Sequence, residues 1–136
     1  MNNALHLLNT LPAFLAYLGS ALGLTALFCV LYTAVTPQAE WKLLRDGSLS
    51  ASLAFGGALL GFVIPLASAI AHSVSLLDMV VWGAVALVVQ LLAFFAAWFL
   101  IPGLPRKIEG DQRGHATFVA ILSVSVGILN AACMVW

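Results

Sequence analysis

The sequence predicts an all-α membrane protein with four transmembrane helices, and its composition and charge pattern support that prediction. Hydrophobic residues make up 63% of the 136 residues, and charged residues only 7%. A water-soluble domain carries about a quarter charged residues, because charge covers its surface. Apart from Asp78, the charges gather in two short stretches, with four long apolar segments around them. A surface this poor in charge must face lipid.

The four apolar segments are long enough to cross a bilayer as helices. About 20 residues at 1.5 Å per residue span a ~30 Å hydrocarbon core. Inside lipid, backbone N–H and C=O groups must bond within their own segment, which favours helices. We therefore predict one membrane domain over residues 1–136, with spans at 12–35, 51–71, 79–101 and 116–136.

The basic residues predict the orientation of the spans. Lys42 and Arg45 lie in the first loop, and Arg106, Lys107 and Arg113 lie in the third. Cytoplasmic loops carry an excess of Lys and Arg. The first and third loops are therefore predicted to face the cytoplasm, and both termini and the 72–78 loop are predicted to face outward.

The order of features repeats along the chain. In both halves a charged loop is followed by a helix rich in small residues, and a shift of 65 residues superposes Ala51 on Ala116 and Ser52 on Thr117. Because each unit contains two helices, both copies have the same orientation, as in the parallel repeats of some transporters. We predict two tandem two-helix repeats, over about 12–71 and 79–136.

The first charged loop predicts a short helix at the membrane surface. Thr36 suits an N-cap and Pro37 the first helical position. The helix is expected to hold Trp41 among the lipid headgroups, where Trp is enriched, with Lys42 and Arg45 beside it. Two interpretations stay open: a simple interfacial anchor, which is the commoner case, or a docking face for a cytoplasmic or membrane protein partner.

Small residues line one side of each predicted helix. Gly19 and Gly23 in the first helix, and Gly57 and Gly61 in the second, follow the four-residue spacing that lets helix backbones approach closely. Gly127 lies in a similar stripe of the fourth helix. We predict that these glycines pack helices together. Since four helices make a thin bundle, we expect association into a homodimer through a glycine face.

Few polar groups lie at membrane depth, where each is expensive unless it is paired. Gln90 lies in the third helix, Asn130 in the fourth and Pro65 in the second, where proline cannot donate to the Gly61 carbonyl. Two interpretations stay open. The freed carbonyl and the amides either coordinate a cation or small polar solute, or they bond one another between helices, which is the commoner case.

The sequence lacks the patterns of catalytic, metal and cofactor sites. His6, His72 and His115 lie at helix ends at different membrane levels, so we expect no histidine metal or haem site. Asp78 is expected to N-cap the third helix. No G-x-S-x-G, H-E-x-x-H or C-x-x-C motif is present. Because the net charge of the chain is zero, we expect no electrostatic attraction to nucleic acid. We predict no enzymatic activity and no cofactor.

Several segments together resemble a known family. They are Thr36-Pro37, Glu40-Trp41, and the runs SASLAFGG at 50–57, LGFVIPL at 60–66 and NAACM at 130–134. The chain resembles the YjfL-like family of small bacterial inner-membrane proteins, a class of unknown function. The resemblance implies four spans, two tandem membrane modules and residence in a bacterial inner membrane. It supplies no catalytic residues.

Two hypotheses about function follow. The first is a homo-oligomeric structural or partner-binding membrane component, which the resemblance links to envelope or membrane stress. The second is a pathway for a small solute or ion, formed by the oligomer and lined by Pro65, Gln90 and Asn130. Against the second, no acidic or basic residue lies inside a predicted span to act as a proton relay or counter-ion.

Overall fold

A computed structural model describes residues 2–35, 42, 45–101, 103–111 and 113–134. This part of the chain contains the helices α1 (Asn2–Val35), α2 (Leu49–His72), α3 (Leu76–Leu100), α4 (Leu104–Glu109) and α5 (Arg113–Cys133). All except the short α4 are long and apolar enough to cross a membrane. The prediction of four spanning helices is confirmed.

Side-chain caps fix where α2 and α3 begin. The Ser48 hydroxyl accepts from the N–H of Ala51 at 3.2 Å, and the Ser75 hydroxyl accepts from the N–H of Asp78 at 3.2 Å. The Asp78 carboxylate in turn accepts from the N–H of Val74 at 3.1 Å. The N-cap of α3 is therefore Ser75, and the prediction that Asp78 caps this helix was wrong. Asp78 lies at the third helical position and accepts from the residue before the N-cap, which resembles a capping box displaced by one residue.

The first helix is longer than predicted. The predicted span began at residue 12, whereas α1 begins at Asn2 and runs for 34 residues through Pro12. Leu and Ala residues on both sides of Pro12 favour helix, and the proline removes only one backbone hydrogen bond. The helix therefore continues upstream of Pro12, through a segment that mixes leucines with polar residues.

Aromatic side chains join α1 to α2 and α3. Phe28 stacks on Phe62 with ring centroids 4.8 Å apart. Tyr32 packs edge-on against Phe55 and Phe94, with centroids 5.2 Å apart in both pairs. These contacts place α1 antiparallel to α2 and parallel to α3.

The closest pair of spanning helices is α2 and α5. Gly57 faces Ala120, and the Ser68 hydroxyl donates to the Ala131 carbonyl at 3.2 Å. Both contacts join residues 63 positions apart, so the two helices run parallel in constant register. α3 packs across this pair, and α1 packs on α2 and α3.

The short helix α4 closes one end of the bundle. Its Leu104 and Ile108 are fully buried and pack in one cluster with Ala51, Ala97 and Val119. The charged loops lie at this end, which we call the charged end. At the opposite end, residues 73–75 turn α2 into α3, and we call this the hairpin end.

Candidate functional site

The centre of the bundle is a close contact of α2 with α5, which we call the glycine crossing. Gly57 and Gly61 of α2 meet Ala120, Ser123 and Gly127 of α5. A Cβ atom on Gly57 would lie 2.7 Å from the Ala120 Cβ, and a Cβ atom on Gly127 would overlap the Gly61 backbone. Glycine at these positions therefore lets the two helix backbones touch.

Pro65 leaves a backbone carbonyl without its usual donor one turn earlier in α2. Because proline has no N–H, the helical partner of the Gly61 carbonyl is missing. The Gly61 carbonyl oxygen lies against the backbone of Gly127, where a side chain would collide with it. A Cα–H···O=C contact between helices stabilises their packing by about 0.5–1 kcal/mol. The freed oxygen is therefore covered by α5.

Gln90 of α3 joins the glycine crossing through its side-chain amide. Nε2 donates to the Ser123 carbonyl at 3.3 Å, and both residues are 2% exposed. A Cβ atom on Gly61 would overlap this Nε2 atom, so glycine makes room for the amide. Within the described residues, Gln90 Oε1 is buried without a hydrogen-bond partner. The amide ties α3 to the α2–α5 pair and leaves one acceptor open.

Asn130 lies three residues beyond Gly127 on α5, which is about 5 Å along the helix axis. The register of α2 on α5 places it near the level of Pro65. Its side chain is half-buried, and the hydrogen bond between α2 and α5 at this level runs from Ser68 to Ala131. Of the predicted polar locus, the structure brings Gly61 and Gln90 into contact, and Pro65 and Asn130 each lie about one turn further along their helices.

Gly19 and Gly23 lie on the side of α1 that faces away from the bundle. In the described part of the chain, no other helix comes within 4 Å of a Cβ atom built on either glycine. α1 packs on its neighbours through a different face that includes Ala21, Phe28 and Tyr32. The two glycines therefore have no packing partner within the described chain, and packing against a second copy stays a prediction.

The predicted surface helix is described only in part. Trp41 lies outside the described residues. Lys42 and Arg45 are helical and exposed, and the N–H of Asp46 donates to the Lys42 carbonyl at 2.9 Å. Gly47 follows in the left-handed conformation, with φ +79°, where a side chain is disfavoured. Docking of a partner on this segment stays a prediction.

Asp111 makes a contact that sequence reasoning did not find. Its Oδ1 accepts from the backbone N–H of Ser50 at 3.0 Å, at the start of α2, and Arg113 lies 3.6 Å away. Ser50, whose backbone N–H donates to this oxygen, and then Arg113 lower the pKa of the Asp111 carboxyl. A carboxylate is stabilised at a helix N-terminus, where backbone N–H groups are free. The contact therefore holds the second charged loop against α2.

Beside the glycine crossing, α2 and α5 leave an open groove on the bundle surface. The groove is apolar except for two hydroxyls, and Ser52 and Ser125 already bond the Ser48 and Ile121 carbonyls. A lipid chain or the side of a helix fits such a surface. Across the described ranges, no three His, Cys, Asp or Glu side chains lie together as a metal site requires.

Comparison with known proteins decides the family. The family described as Domain of Unknown Function DUF350 matches residues 6–134. The chain belongs to the DUF350 family. It is 41% identical to the UPF0719 inner membrane protein YjfL of Escherichia coli K12 over 132 residues, 97% of this chain and 100% of that protein. It is 30% identical to the UPF0719 transmembrane protein YshE of Bacillus subtilis (strain 168) over 126 residues, 91% of this chain and 94% of that protein. No solved structure matches.

The resemblance predicted from the sequence is thereby confirmed, together with the location it implied. This DUF350 protein is a multi-pass integral protein of the inner membrane, since it matches relatives named as membrane proteins over nearly their whole length and its own helices are long enough to span. The names of these relatives state no activity.

Proposed function

We propose that this DUF350 protein is a non-catalytic membrane component that works as a homo-oligomer, with a structural or partner-binding role. The observation that carries the proposal is the unequal burial of the spanning helices. In the most apolar window of each helix, 50% of the residues of α2 are buried, but only 11% of those of α1. A helix so little packed within its own chain presents most of its surface to other molecules in the membrane.

The chemistry of the bundle centre supports a structural role. The Gln90 amide bonds the Ser123 carbonyl, and the Gly61 carbonyl lies against Gly127. Interhelical polar contacts of this kind stabilise membrane bundles by about 0.6 kcal/mol on average. Acid–base or nucleophilic catalysis needs titratable or nucleophilic groups held together, and residues 12–35, 51–71, 79–101 and 116–136 carry no Asp, Glu, Lys or Arg.

The proposal includes an orientation and a repeat. Lys42, Arg45, Arg106 and Lys107 lie on the cytoplasmic side in this proposal, because cytoplasmic loops are enriched in basic residues. α4, which carries Arg106 and Lys107, packs on Ala51 near the start of α2, so both basic segments lie at one end of the bundle, as this orientation requires. The parallel packing of α2 on α5, with contacts 63 residues apart, supports two tandem two-helix units.

Counting copies in a bilayer tests the proposed homo-oligomer. Protein carrying one fluorophore per chain is reconstituted into liposomes at increasing lipid-to-protein ratios, and single-molecule photobleaching steps are counted. We expect two or more steps per complex to persist after lipid dilution. Single-step bleaching at every ratio would mean that the protein works as a monomer, and the proposal would be wrong.

The link to envelope or membrane stress rests on the family resemblance alone. A strain lacking the protein is compared with its parent during osmotic shock and detergent exposure. We expect slower recovery of the deletion strain and restoration by the wild-type chain. Equal recovery of the two strains would remove this part of the proposal.

A second candidate function is a small-solute or ion pathway formed by the oligomer. The observation that favours it is the buried Gln90 Oε1, which lacks a hydrogen-bond partner in the described structure. On this hypothesis, Gln90→Leu and Asn130→Leu abolish flux of a labelled solute into liposomes without changing the copy number. Unchanged flux in both variants, or none in the wild type, would eliminate the pathway.

A further inference from the structure

The groove between α2 and α5 opens next to the first residue of α5. The contact of Gly57 with Ala120 sets a register of 63 residues between these parallel helices. In that register Arg113, where α5 begins, lies level with Ser50 near the start of α2. The residues that line the groove begin at Ser52, which lies two residues, or about 3 Å, further along α2. Arg113 therefore lies at the mouth of the groove.

Arg113 also lies on the face of α5 that lines the groove. Steps of four residues stay near one face of a helix, and they lead from Arg113 through Thr117 to Ile121, which lines the groove. All three residues are exposed. On the α2 side, no other helix of the described chain comes within 4 Å of a Cβ atom built on Gly56, so the space beside this glycine is open. The groove and its mouth form one continuous surface.

Two opposite charges lie at the mouth. Nη2 of Arg113 is 3.6 Å from Oδ2 of Asp111, and the two side chains are 64% and 42% exposed. A guanidinium carries several N–H donors, and a single contact at this distance leaves most of them open. The backbone N–H of Ser50 donates to Oδ1 of Asp111 at 3.0 Å, which holds the carboxylate at the start of α2. The mouth therefore offers donors for an anion and an acceptor for a cation, side by side.

These charges distinguish the groove from the other lipid-facing surfaces of the bundle. Residues 2–35 carry no charge, and α3 carries only Asp78, at the hairpin end. α4 has two basic residues, but it packs on Ala97 and Val119, on the α3 side of the α2–α5 pair. Lipid tails cover α1 and α3 without a charged group at the charged end to select a headgroup. In the groove, an apolar channel and a charge pair occur together.

We propose that the groove is a binding site for one phospholipid with an ethanolamine headgroup. Its acyl chain lies between α2 and α5. Its phosphate accepts hydrogen bonds from the Arg113 guanidinium, and its ammonium group donates to the Asp111 carboxylate. Hydrogen bonds between Arg and phosphate are charge-assisted and among the strong ones in proteins. A headgroup with only a negative charge would meet the Asp111 carboxylate beside Arg113, so a headgroup carrying both charges fits this mouth better.

The length of the groove agrees with an acyl chain. The lining residues of α2 extend from Ser52 to Leu60, about 12 Å along the helix. One leaflet of a bilayer is about 15 Å deep, half of the ~30 Å hydrocarbon core. A chain whose headgroup lies at Arg113 therefore follows the groove through most of its leaflet. The site involves one chain only, so it does not depend on the number of copies in the complex.

Native mass spectrometry tests the site. The protein is reconstituted into liposomes of phosphatidylethanolamine and phosphatidylglycerol in equal amounts, extracted in a mild detergent and weighed with its retained lipid. We expect one phosphatidylethanolamine per chain, favoured over phosphatidylglycerol about tenfold, because hydrogen bonds to charged groups are stronger than neutral ones. Equal retention of the two lipids, a preference for phosphatidylglycerol, or no retained lipid would overturn the proposal.

Gly56→Leu tests whether the lipid lies in the groove. The new side chain fills the groove without meeting another helix, so lipid retention should be lost while the melting temperature stays near that of the wild type. Ala96→Leu is the matched control, at an exposed position of α3. The contact of Gln90 with Gly61 places it near the depth of Gly56. Equal retention in the two variants would mean that the lipid binds outside the groove.

Arg113→Gln tests the headgroup contact. Because an exposed ion pair contributes little to stability, this variant should fold as the wild type does. Its retention of phosphatidylethanolamine should fall about tenfold, since the charged donor for the phosphate is lost. Arg106→Gln makes the same substitution at an exposed residue of α4 and should retain the lipid as the wild type does. Retention that survives Arg113→Gln would contradict the proposed headgroup contact.

Discussion

The side-chain Nε2 of Gln90 lies 3.3 Å from the carbonyl oxygen of Ser123, in space that a side chain on Gly61 would occupy. Three spanning helices meet at this point. α3 provides the Gln90 amide, α5 provides the Ser123 carbonyl, and α2 has a glycine, Gly61, whose lack of a side chain leaves room for the amide. The bond uses the donor half of the amide, while the Oε1 half stays buried without a partner in the described structure. The stability of the bundle should therefore respond very differently to different changes at residue 90.

Gln90→Leu should change bundle stability by less than about 1 kcal/mol. The substitution loses one interhelical hydrogen bond, which averages about 0.6 kcal/mol in membranes. It also removes a buried acceptor that has no partner, and that removal is favourable. Unfolding in mixed micelles, followed by circular dichroism, measures the difference.

Gln90→Glu tests the same site in the opposite direction. If the new carboxyl group is ionised, placing its charge at that depth costs about 2.5–3.5 kcal/mol. The group avoids this cost only if it is protonated. We expect a large loss of stability at neutral pH that lessens on acidification. A wild-type stability for this variant would contradict the burial of residue 90.

Gly61→Ala should destabilise the glycine crossing strongly. The added methyl group collides with the Ser123 carbonyl and the Gln90 amide, and overpacking of this kind costs about 1–3 kcal/mol. Gly56→Ala is the matched control in the same helix, since no other helix comes within 4 Å of its Cβ position in the described residues. Equal effects of the two substitutions on unfolding would contradict the crossing.

Asp111→Asn should remove a pH dependence at the charged end. Because folding lowers the pKa of Asp111, its contribution to stability is complete above about pH 5 and is lost as the pH falls below its ordinary value of 3.8. The wild type should therefore lose more stability than Asp111→Asn between about pH 5 and pH 3. Melting temperatures in detergent across this range check the prediction.

Asp46→Asn is the control for the Asp111 experiment. Asp46 is an exposed carboxylate on the first charged loop. Its substitution should leave the acid limb of the stability curve as it is in the wild type. A curve for Asp111→Asn that follows the wild type throughout would show that the bond to Ser50 does not form.

Phe28→Ala should loosen α1 from the bundle. Phe28 is fully buried and stacks on Phe62, and truncation of a buried phenylalanine typically costs about 3–5 kcal/mol. Leu27→Ala, at an exposed neighbouring position, should have little effect. Faster proteolysis or hydrogen exchange of α1 in Phe28→Ala alone would confirm the aromatic contact.

Hydropathy predicted the spans well because lipid sets the length of a helix. The second span was predicted at residues 51–71, and α2 is Leu49–His72. The first span was predicted to begin at residue 12 because polar residues precede it, yet α1 begins at Asn2. Those polar residues lie on one face of a continuous helix. Hydropathy averaged along the chain does not distinguish a polar face of a helix from the end of the helix.

Depth in the membrane was easier to predict than rotation about the helix axis. Gly61 and Gln90 were expected at one level, and they meet there. Asn130 lies about one turn beyond Gly127, near the level of Pro65, and its part in a polar locus stays a prediction. Gly19 and Gly23 have the same spacing as Gly57 and Gly61, yet only the second pair contacts another helix in the described chain. Spacing alone does not say which helix a face meets.

The Asp111 contact depended on the path of a loop. Its left-handed backbone, with φ 56°, turns the carboxylate towards α2. Asp46 occupies the corresponding position in the first loop, 65 residues earlier, and both carboxylates are exposed, but the bond to the start of α2 is made by Asp111. The sequence offers both carboxylates, and only the folded loop selects between them.

The distance between two copies of the chain tests the proposed homo-oligomer most directly. A spin label on the exposed Cys133, in a chain carrying Cys29→Ala, is measured by pulsed dipolar spectroscopy in lipid-diluted bilayers. We predict a defined distance between the labels of two copies, which persists as the lipid-to-protein ratio rises. A signal without dipolar coupling between copies would contradict the homo-oligomer.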